Sequence, residues 1–204
     1  DASSGQLLWK VALGKSLHAG PVVGGDVVYA CTYEGSVHAL VAADGKPVWT
    51  VHLGSSIHSA PVLLDEVLYL GTGDHHVYAL SQSSGEKLWS YRVGGGIDAS
   101  VAILEGVLYV PARDHKLYAF MSDRLWRFDV GSTIEGSPAV SLDDGGMPDT
   151  VCVGTDKHRL YALDAGTGDE RWNFVCQGAI AATPVIQDDR VYFGSKDRCV
   201  YAVS

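Results

Sequence analysis

Five tryptophans recur along this chain at nearly constant spacing, and the text around each one recurs with it. The separations are 40, 40, 37 and 46 residues, between Trp9, Trp49, Trp89, Trp126 and Trp172. Each repeat also carries one tetrapeptide, which is written VHAL, VYAL, LYAF, LYAL and VYAV in successive copies. A period of about 40 residues indicates a repeat architecture, in which each unit buries its apolar face against the next.

Each repeat holds four short runs rich in Val, Ile, Leu and Tyr, separated by Gly, Asp and Ser. Such runs predict β-strands, and such separators predict turns. No window shows a sustained apolar period of 3.6 residues, so we expect almost no helix. Four strands per repeat predict an all-β fold, a β-propeller of four-stranded antiparallel blades, with strands A to D running from the inside outwards. The tetrapeptide is then strand C, and the tryptophan lies on outer strand D.

We predict one propeller domain, residues 1–204, with five blades. The blade boundaries are about 15–54, 55–94, 95–131, 132–176, and 177–204 together with 1–14. The chain opens on a strand D and ends on a strand C. We therefore expect the N-terminal strand, Gln6–Leu13, to pair with Arg198–Val203 and complete the last blade, which would hide two sheet edges. A chain that opens on a strand D and ends on a strand C would also fit a larger ring from which whole blades were missing.

The five tryptophans are predicted to be structural. Each large ring on an outer strand is placed to lie across the seam between two blades. Truncation of a buried tryptophan costs about 3–5 kcal/mol. A structural role therefore explains these residues better than a catalytic one.

Composition excludes some function classes. The formal charge is −9 and no cluster of Lys and Arg appears, so we expect no nucleic-acid partner. No apolar run reaches the roughly 18 residues of a membrane span. The chain begins with Asp1 and shows no signal peptide, and we interpret it as a processed form or a piece of something longer, such as one domain of a larger protein. The four cysteines match no metal-binding spacing and do not reveal the compartment.

The pattern Y-A-L, then T-G or S-G, then Trp, then Ile, any residue, two residues that are each Ser or Ala, and Pro-Val resembles the repeat of the quinoprotein-like propellers. That family contains the pyrroloquinoline quinone (PQQ) alcohol dehydrogenases and non-catalytic relatives, among them BamB-type outer-membrane assembly lipoproteins and sensor propellers. The resemblance covers essentially the whole chain and implies a periplasmic or extracytoplasmic location. The family's rings mostly have seven or eight blades, from which five repeats depart.

The resemblance also implies what a quinone site would need. The dehydrogenases use a disulfide between adjacent cysteines, and no two cysteines are adjacent here. They hold calcium with Glu, Asn and Asp, and the only Asn, Asn173, is predicted on an outer strand. Asp98 alone is placed for their catalytic Asp. We therefore do not expect bound PQQ, and we expect no other resident cofactor except a divalent metal in the alternative below.

One repeat position varies while its neighbours hardly change. Just after the hydrophobic residue that precedes strand A stand, in successive blades, His18, His58, Asp98, Glu135 and Ala181. These connections meet near the axis of a propeller, where ligands usually bind. Two imidazoles and two carboxylates could hold zinc, iron or manganese, which makes His18, His58, Asp98 and Glu135 candidate metal ligands. The alternative, which we favour, is a solvated mouth with unrelated polar residues.

A second candidate column lies in the turns between strands B and C. His75, His115 and His158 stand where a hairpin would usually have glycine. Histidine tolerates the left-handed backbone fairly well, and we favour this explanation over a ligand role. Arg113 and other basic residues lie nearby, so this rim could bind an acidic peptide or a carboxylate.

Two functions from different classes remain. The first is a non-catalytic interaction or scaffold propeller that binds a protein or peptide partner, and we favour it because no nucleophile motif is present. The second is a metal- or quinone-dependent enzyme or ligand sensor with its site at the axial mouth, which only the varying column supports. The sequence names neither the partner nor the host protein.

Overall fold

A computed structural model of the chain describes residues 3–121 and 125–204. Within these residues the regular secondary structure is entirely β, in strands β1 to β19. Blades 1 and 2 comprise β1 (Val22–Gly24), β2 (Val27–Cys31), β3 (Ser36–Val41), β4 (Pro47–His52), β5 (Val62–Leu64), β6 (Val67–Gly71), β7 (His76–Ser81) and β8 (Lys87–Arg92). Blade 3 comprises β9 (Ala102–Leu104), β10 (Val107–Ala112), β11 (Lys116–Phe120) and β12 (Leu125–Asp129). Blades 4 and 5 comprise β13 (Ala139–Leu142), β14 (Pro148–Gly154), β15 (Arg159–Asp164), β16 (Glu170–Val175), β17 (Val185–Gln187), β18 (Arg190–Gly194) and β19 (Val200–Val203).

Each blade is an antiparallel meander in which strands pair in chain order. In the described residues, blades 1 to 4 have four strands each and blade 5 has three, β17-β18-β19. The predicted all-β propeller built from five repeats is therefore confirmed. The turn Asp65-Glu66 keeps its hairpin short, because both residues adopt positive φ angles, and Gly25 does the same in the matching turn of blade 1.

The register between strands C and D reflects the length of the turn that joins them. In blades 1 and 2 a bulge follows the tryptophan pair, so that Ala39 faces Trp49 and Leu40 faces Pro47. In blade 3 the connection is shorter, and the pairs Ala119 with Trp126 and Phe120 with Leu125 are continuous. The extra residues of the longer turns are thus absorbed as a bulge, which twists the outer strand.

In residues 3–121 and 125–204, the apolar core consists of four clusters, one at each seam between successive blades. At the first seam, Tyr29, Val37 and Ala39 of blade 1 pack against Ile57 and Leu68 of blade 2. The same repeat positions form the clusters between blades 2 and 3, 3 and 4, and 4 and 5. The tetrapeptide of strand C recurs because every blade must present its Val or Leu and its Ala to the next sheet.

The tryptophans of strand D lie across these seams. Trp49 Nε1 donates to the Gln82 carbonyl of blade 2 at 3.0 Å, and Trp126 Nε1 donates to the Ala165 carbonyl of blade 4 at 3.1 Å. Each indole lies over a turn glycine, since a Cβ on Gly85 or Gly168 would overlap the ring. Trp9 makes the same contact with blade 1, donating to the Ala42 carbonyl at 2.8 Å.

Closure of the ring is not shown. Among the described residues, 6–13 form no strand, and β19 pairs with β18 alone. Through Trp9, the N-terminal segment instead lies against blade 1, in the position that strand D of a preceding blade would take. The predicted pairing of this segment with Arg198–Val203 therefore stays a prediction.

Candidate interaction site at the axial mouth

One backbone hydrogen bond, repeated in every blade, sets two variable positions side by side. The first residue of each B–C turn donates its N–H to the carbonyl that lies two residues before the varying position ahead of strand A. The bonds are Tyr33 to Ser16 at 2.8 Å, Gly73 to Ser56 at 2.8 Å, Arg113 to Gly96 at 2.9 Å, Asp156 to Thr133 at 3.1 Å and Lys196 to Ala179 at 2.8 Å. The predicted column of His18, His58, Asp98 and Glu135 therefore lies beside a second column made of these turn residues. We call this surface the axial mouth.

The mouth of blades 1 and 2 is aromatic. The ring centroids of His18 and Tyr33 are 4.8 Å apart, and those of Tyr33 and His58 are 5.1 Å apart. His18 and His58, whose ring centroids are 5.6 Å apart, contact each other edge to face. Two of the predicted column residues are thus brought together, with a tyrosine that the sequence analysis did not single out.

The mouth of blades 3 to 5 is ionic. The Arg113 guanidinium forms an ion pair with the Asp98 carboxylate inside blade 3. The Lys196 ammonium of blade 5 donates to Glu135 Oε2 of blade 4 at 3.0 Å. Both predicted carboxylates are therefore already bound to cations, in pairs that are too exposed to add much stability.

Two cavities meet at the Asp98–Arg113 pair. One, of about 330 Å³, is lined by residues of blades 2 and 3 that include His58, His75 and Gly73. The other, of about 320 Å³, is lined by residues of blades 3 and 4 that include Thr133, Ile134 and Glu135. Gly96, Asp98 and Arg113 belong to both linings, so the ion pair forms the wall between two adjoining recesses.

The histidines of the B–C turns have left-handed backbones. The φ angles of His75, His115 and His158 are 74°, 67° and 65°, in the region that usually takes glycine. Their carbonyls accept hydrogen bonds from the residues that follow strand D, for example from Val93 N at 2.9 Å for His75. His75 also lines the mouth cavity beside His58, whereas His115 and His158 are not in the lining of either mouth cavity.

A third cavity lies on the outer rim between blades 2 and 3. Its volume is about 550 Å³, and its lining is mostly apolar, with Tyr69, Trp89, Tyr91, Ile103 and Phe120 among its residues. It is larger than either mouth cavity, but none of the described residues that line it has a charged side chain. The mouth cavities, by contrast, have charged and polar side chains of the kind that orient a ligand in most binding sites.

Comparison with known families shows which protein family the chain belongs to. A family of PQQ-repeat proteins described as outer membrane protein assembly factor BamB matches residues 1–123 and 113–204, which together span the whole chain. The chain belongs to the BamB family. The resemblance inferred from the repeat text is thereby confirmed.

Solved structures support the same propeller fold. BamB from Moraxella catarrhalis superposes with a TM-score of 0.80 at 22% identity, over 97% of this chain and 61% of that one. The computationally designed Ika8 protein superposes with a TM-score of 0.70 at 15% identity, over 89% of this chain and 56% of that one. The chain thus spans about three fifths of the length of these two proteins. A search of curated proteins gave no match.

Membership of a PQQ-repeat family raises the question of whether the residues fit a quinone. The four cysteines are free and none is adjacent to another. Burial raises the pKa of Cys31 and of Cys152 to about 12, so neither thiol ionises near neutral pH. Asn173 lies on outer strand β16, where its amide donates to Glu170 at 2.6 Å. These residues do not supply the ligand set that the resemblance implies.

The four predicted metal ligands do not form one cluster. Within residues 3–121 and 125–204, no group of three or more His, Cys, Asp and Glu side chains is placed to hold a metal ion. The part of the chain that the structure describes also has no helix long and apolar enough to cross a membrane.

The mouth residues missed by sequence reasoning are Tyr33 and Lys196. A signal for them was present, because the first residue of the B–C turn is Tyr, Gly, Arg, Asp and Lys in successive blades. The same test of variation that selected His18 and Asp98 would have selected this position too.

Proposed function

We propose that this chain is a non-catalytic interaction propeller whose axial mouth binds a protein or peptide partner. One observation carries the proposal. At the mouth, two neighbouring repeat positions vary among the blades: one is His, His, Asp, Glu and Ala, and the other is Tyr, Gly, Arg, Asp and Lys. The backbone hydrogen bond that holds them side by side is the same in all five blades. A fixed scaffold that presents variable side chains is the arrangement of a recognition surface.

The two halves of the mouth suit different parts of a peptide. The aromatic half, with His18, Tyr33 and His58, offers ring faces to an apolar or aromatic side chain. In the ionic half, Arg113 is 69% exposed at its side chain, although it is paired with Asp98. Its free N–H groups are available to a carboxylate of the partner, in the forked geometry that arginine favours.

The proposal is tested by selecting displayed random peptides on the folded chain and measuring the affinity of each enriched family. We expect the affinity to fall at least about tenfold in Arg113→Ala and in Tyr33→Ala, the size of loss expected when an interface anchor is truncated. Arg171→Ala is the matched control, because this arginine binds Asp149 and Asp164 on the outer side of blade 4. Families whose binding is lost in Tyr91→Ala instead would place recognition at the rim cavity and contradict a site at the mouth.

A second function, a metal-binding sensor or enzyme at the mouth, is favoured by the closeness of His18 and His58. Imidazole is a common ligand of zinc, copper and iron. We would expect calorimetric titration with Zn²⁺ to give one site that is lost in His18→Ala. Absence of a saturable site would leave the interaction module as the better function.

The family description also suggests where the chain works. We propose an extracytoplasmic protein that contributes to assembly at an outer membrane, acting through protein contacts and without nucleic acid. Protection from protease in intact cells, with cleavage once the outer membrane is opened, is the expected result. Recovery in the cytoplasmic fraction alone would contradict this location.

A further inference from the structure

Two cavities adjoin on the outer rim between blades 2 and 3. One is the aromatic rim cavity of about 550 Å³ described above, and the other has a volume of about 570 Å³. Tyr91 of β8 belongs to both linings, so the cavities meet at this side chain. We call them together the rim groove. Its charged end, the second cavity, is lined by residues that include Arg92, Asp114, Lys116, Tyr118 and Arg127.

The aromatic end of the rim groove is open where the other seams are covered. From the tyrosine of strand C to the tryptophan of strand D there are 11 residues in blades 2 and 4, but only eight in blade 3, and the connection of blade 3 contains no glycine. Elsewhere this glycine lies under the indole of the preceding blade, as Gly85 does under Trp49. Trp89 precedes the short connection and is 38% exposed, more than any other tryptophan whose structure is described.

The exposed rings of the aromatic end hold one another in place. The ring centroid of Trp89 lies 6.0 Å from that of Tyr69 and 6.3 Å from that of Phe120. Tyr91, which is 42% exposed, contacts Phe120 edge to face at 5.0 Å. Aromatic rings fixed in this way form a pocket suited to one aromatic or large aliphatic side chain.

The charged end contains an arginine that has no acidic partner. Arg127 pairs with Tyr118 between β11 and β12, so both side chains lie on one face of blade 3. That face is turned towards blade 2, because the Tyr118 hydroxyl accepts a hydrogen bond from Gly94 N at 3.1 Å. Arg127 forms no ion pair with any carboxylate in residues 3–121 and 125–204. The same repeat position is neutral in the other blades that have a described strand D, with Thr50, Ser90 and Asn173.

The charge of the groove runs against that of the chain. Lys116 Nζ lies 3.7 Å from a carboxylate oxygen of Asp114 and 3.7 Å from one of Asp129. Even with both carboxylates counted, the cations Arg92, Lys116 and Arg127 outnumber them, although the formal charge of the whole chain is −9. The charged end therefore favours a negatively charged group.

We propose that the rim groove binds an extended segment of a partner protein that carries an aromatic side chain and, a few residues away, a carboxylate. The aromatic side chain enters the cavity of Trp89 and Tyr91, and the carboxylate pairs with Arg127. Trp89 and Arg92, which line the two ends, are three residues apart on β8, so the ends are roughly 10 Å apart, or two to four residues of an extended peptide. This site is separate from the axial mouth and does not depend on the function proposed for it.

The probe is a set of short fluorescein-labelled peptides of Ser and Ala that contain one Phe and, two, three or four residues later, one Glu. Fluorescence anisotropy measures their binding to the folded chain. We expect saturable binding by at least one spacing, and a loss of affinity of about tenfold when Phe is replaced by Ala or Glu by Gln. Raising the salt concentration should weaken the Glu peptide more than the Gln peptide.

Variants of the chain place the peptide. Tyr91→Ala should weaken every peptide that contains Phe at least about tenfold. Arg127→Ala should weaken the Glu peptide by a similar factor and leave the Gln peptide nearly unchanged. Both residues are exposed, so circular dichroism and thermal unfolding of the variants should match wild type. Arg171→Ala is the matched control for loss of one positive charge, since it binds Asp149 and Asp164 on blade 4.

The outcomes separate this site from the mouth. In the peptide selection proposed above, the groove would add families that depend on Tyr91 beside those that depend on Tyr33. No saturable binding at any spacing would overturn the groove as a site, and so would a loss of binding in Tyr33→Ala with none in Tyr91→Ala. Equal weakening of the Glu and Gln peptides by Arg127→Ala would exclude the pairing of its guanidinium with a carboxylate.

Discussion

Val77 and Val200 hold the same position of the same repeat, one in the second blade and one in the fifth. Val77 is fully buried, and Val200 has 82% of its surface in solvent. Their sequence neighbours and their pairing with strand B are alike, but β7 is also covered by β8 and by the next blade, whereas β19 has neither cover among the described residues. Burial at this position therefore depends on the outer strand and the adjacent blade more than on the residue itself. Three predictions test this comparison between buried and exposed positions, and a fourth concerns pH.

The largest effect is expected at an inner seam. Trp49→Ala should lower the free energy of unfolding by about 3–5 kcal/mol, because the indole spans two blades and its N–H binds the Gln82 carbonyl. Trp89→Ala should cost less, since Trp89 is 38% exposed. Urea unfolding of both variants measures the difference. Equal losses would show that exposure of the indole does not govern its contribution.

A smaller effect is expected when one valine is compared with the other. Val77→Ala removes a fully buried side chain and should cost about 1.5–3 kcal/mol. Val200→Ala, measured on dilute protein, should change the stability by less than about 0.5 kcal/mol, as exposed substitutions do. Matching losses at the two sites would mean that the fifth blade is covered in solution, and the contrast between the regions would fail.

Two glycines at the end of strand B, Gly71 and Gly194, allow the same comparison to be made by adding a methyl group instead of removing one. Gly71→Ala should cost about 1–3 kcal/mol, because its new methyl group would overlap Ile97. Gly194→Ala should be close to neutral in dilute protein, since no described atom lies near its Cβ position. Thermal unfolding of the pair measures both. If Gly71→Ala were tolerated as well as Gly194→Ala, the seams would be looser than the packing of isoleucine on glycine indicates.

The smallest effect concerns pH. His38 of blade 1 replaces the tyrosine that the other four blades have in strand C, and its Nδ1 is 3.0 Å from the Thr50 hydroxyl. Burial lowers the pKa of His38 below its ordinary 6.5, and its buried Nε2 has no described partner. The unfolded chain then binds a proton before the folded one, so stability is full above pH 6.5 and declines as the pH falls through the lower folded value.

The measurement is the free energy of unfolding of wild type and His38→Tyr over this pH range. The variant restores the tyrosine of the repeat and should show a shallower decline. An identical slope in the two proteins would assign the acid sensitivity to other groups.

The blades could be predicted from the sequence, but the contacts between side chains could not. Spacing alone predicted strands A to D, because apolar runs and turn residues act locally. Cys152 takes the place of a tyrosine without disturbing the pattern, since it too is fully buried at a seam. Pairing of Glu135 with Lys196 was not predictable, because it depends on how blade 5 is rotated against blade 4.

The closing strand was the other limit of the sequence analysis. The position of Trp9 relative to the chain start fits a strand D that follows the strand C ending near Ser204. Spacing shows only that the segment could be a strand D, however, and not which sheet it joins. Trp9 contacts blade 1 whichever blade lies behind it. The seam contacts of blade 1 therefore give no information about closure, and only the pairing of β19 does.

The chain-order meander of each sheet has a consequence for synthesis of the protein. Every strand pairs with its neighbour in sequence, so all the backbone pairing of a blade is complete once that stretch of about 40 residues has left the ribosome. A nascent blade then waits only for the following one to cover its apolar face. Its exposure to aggregation lasts for the translation of a single repeat, and a ribosome that stalls inside a repeat would leave that face bare.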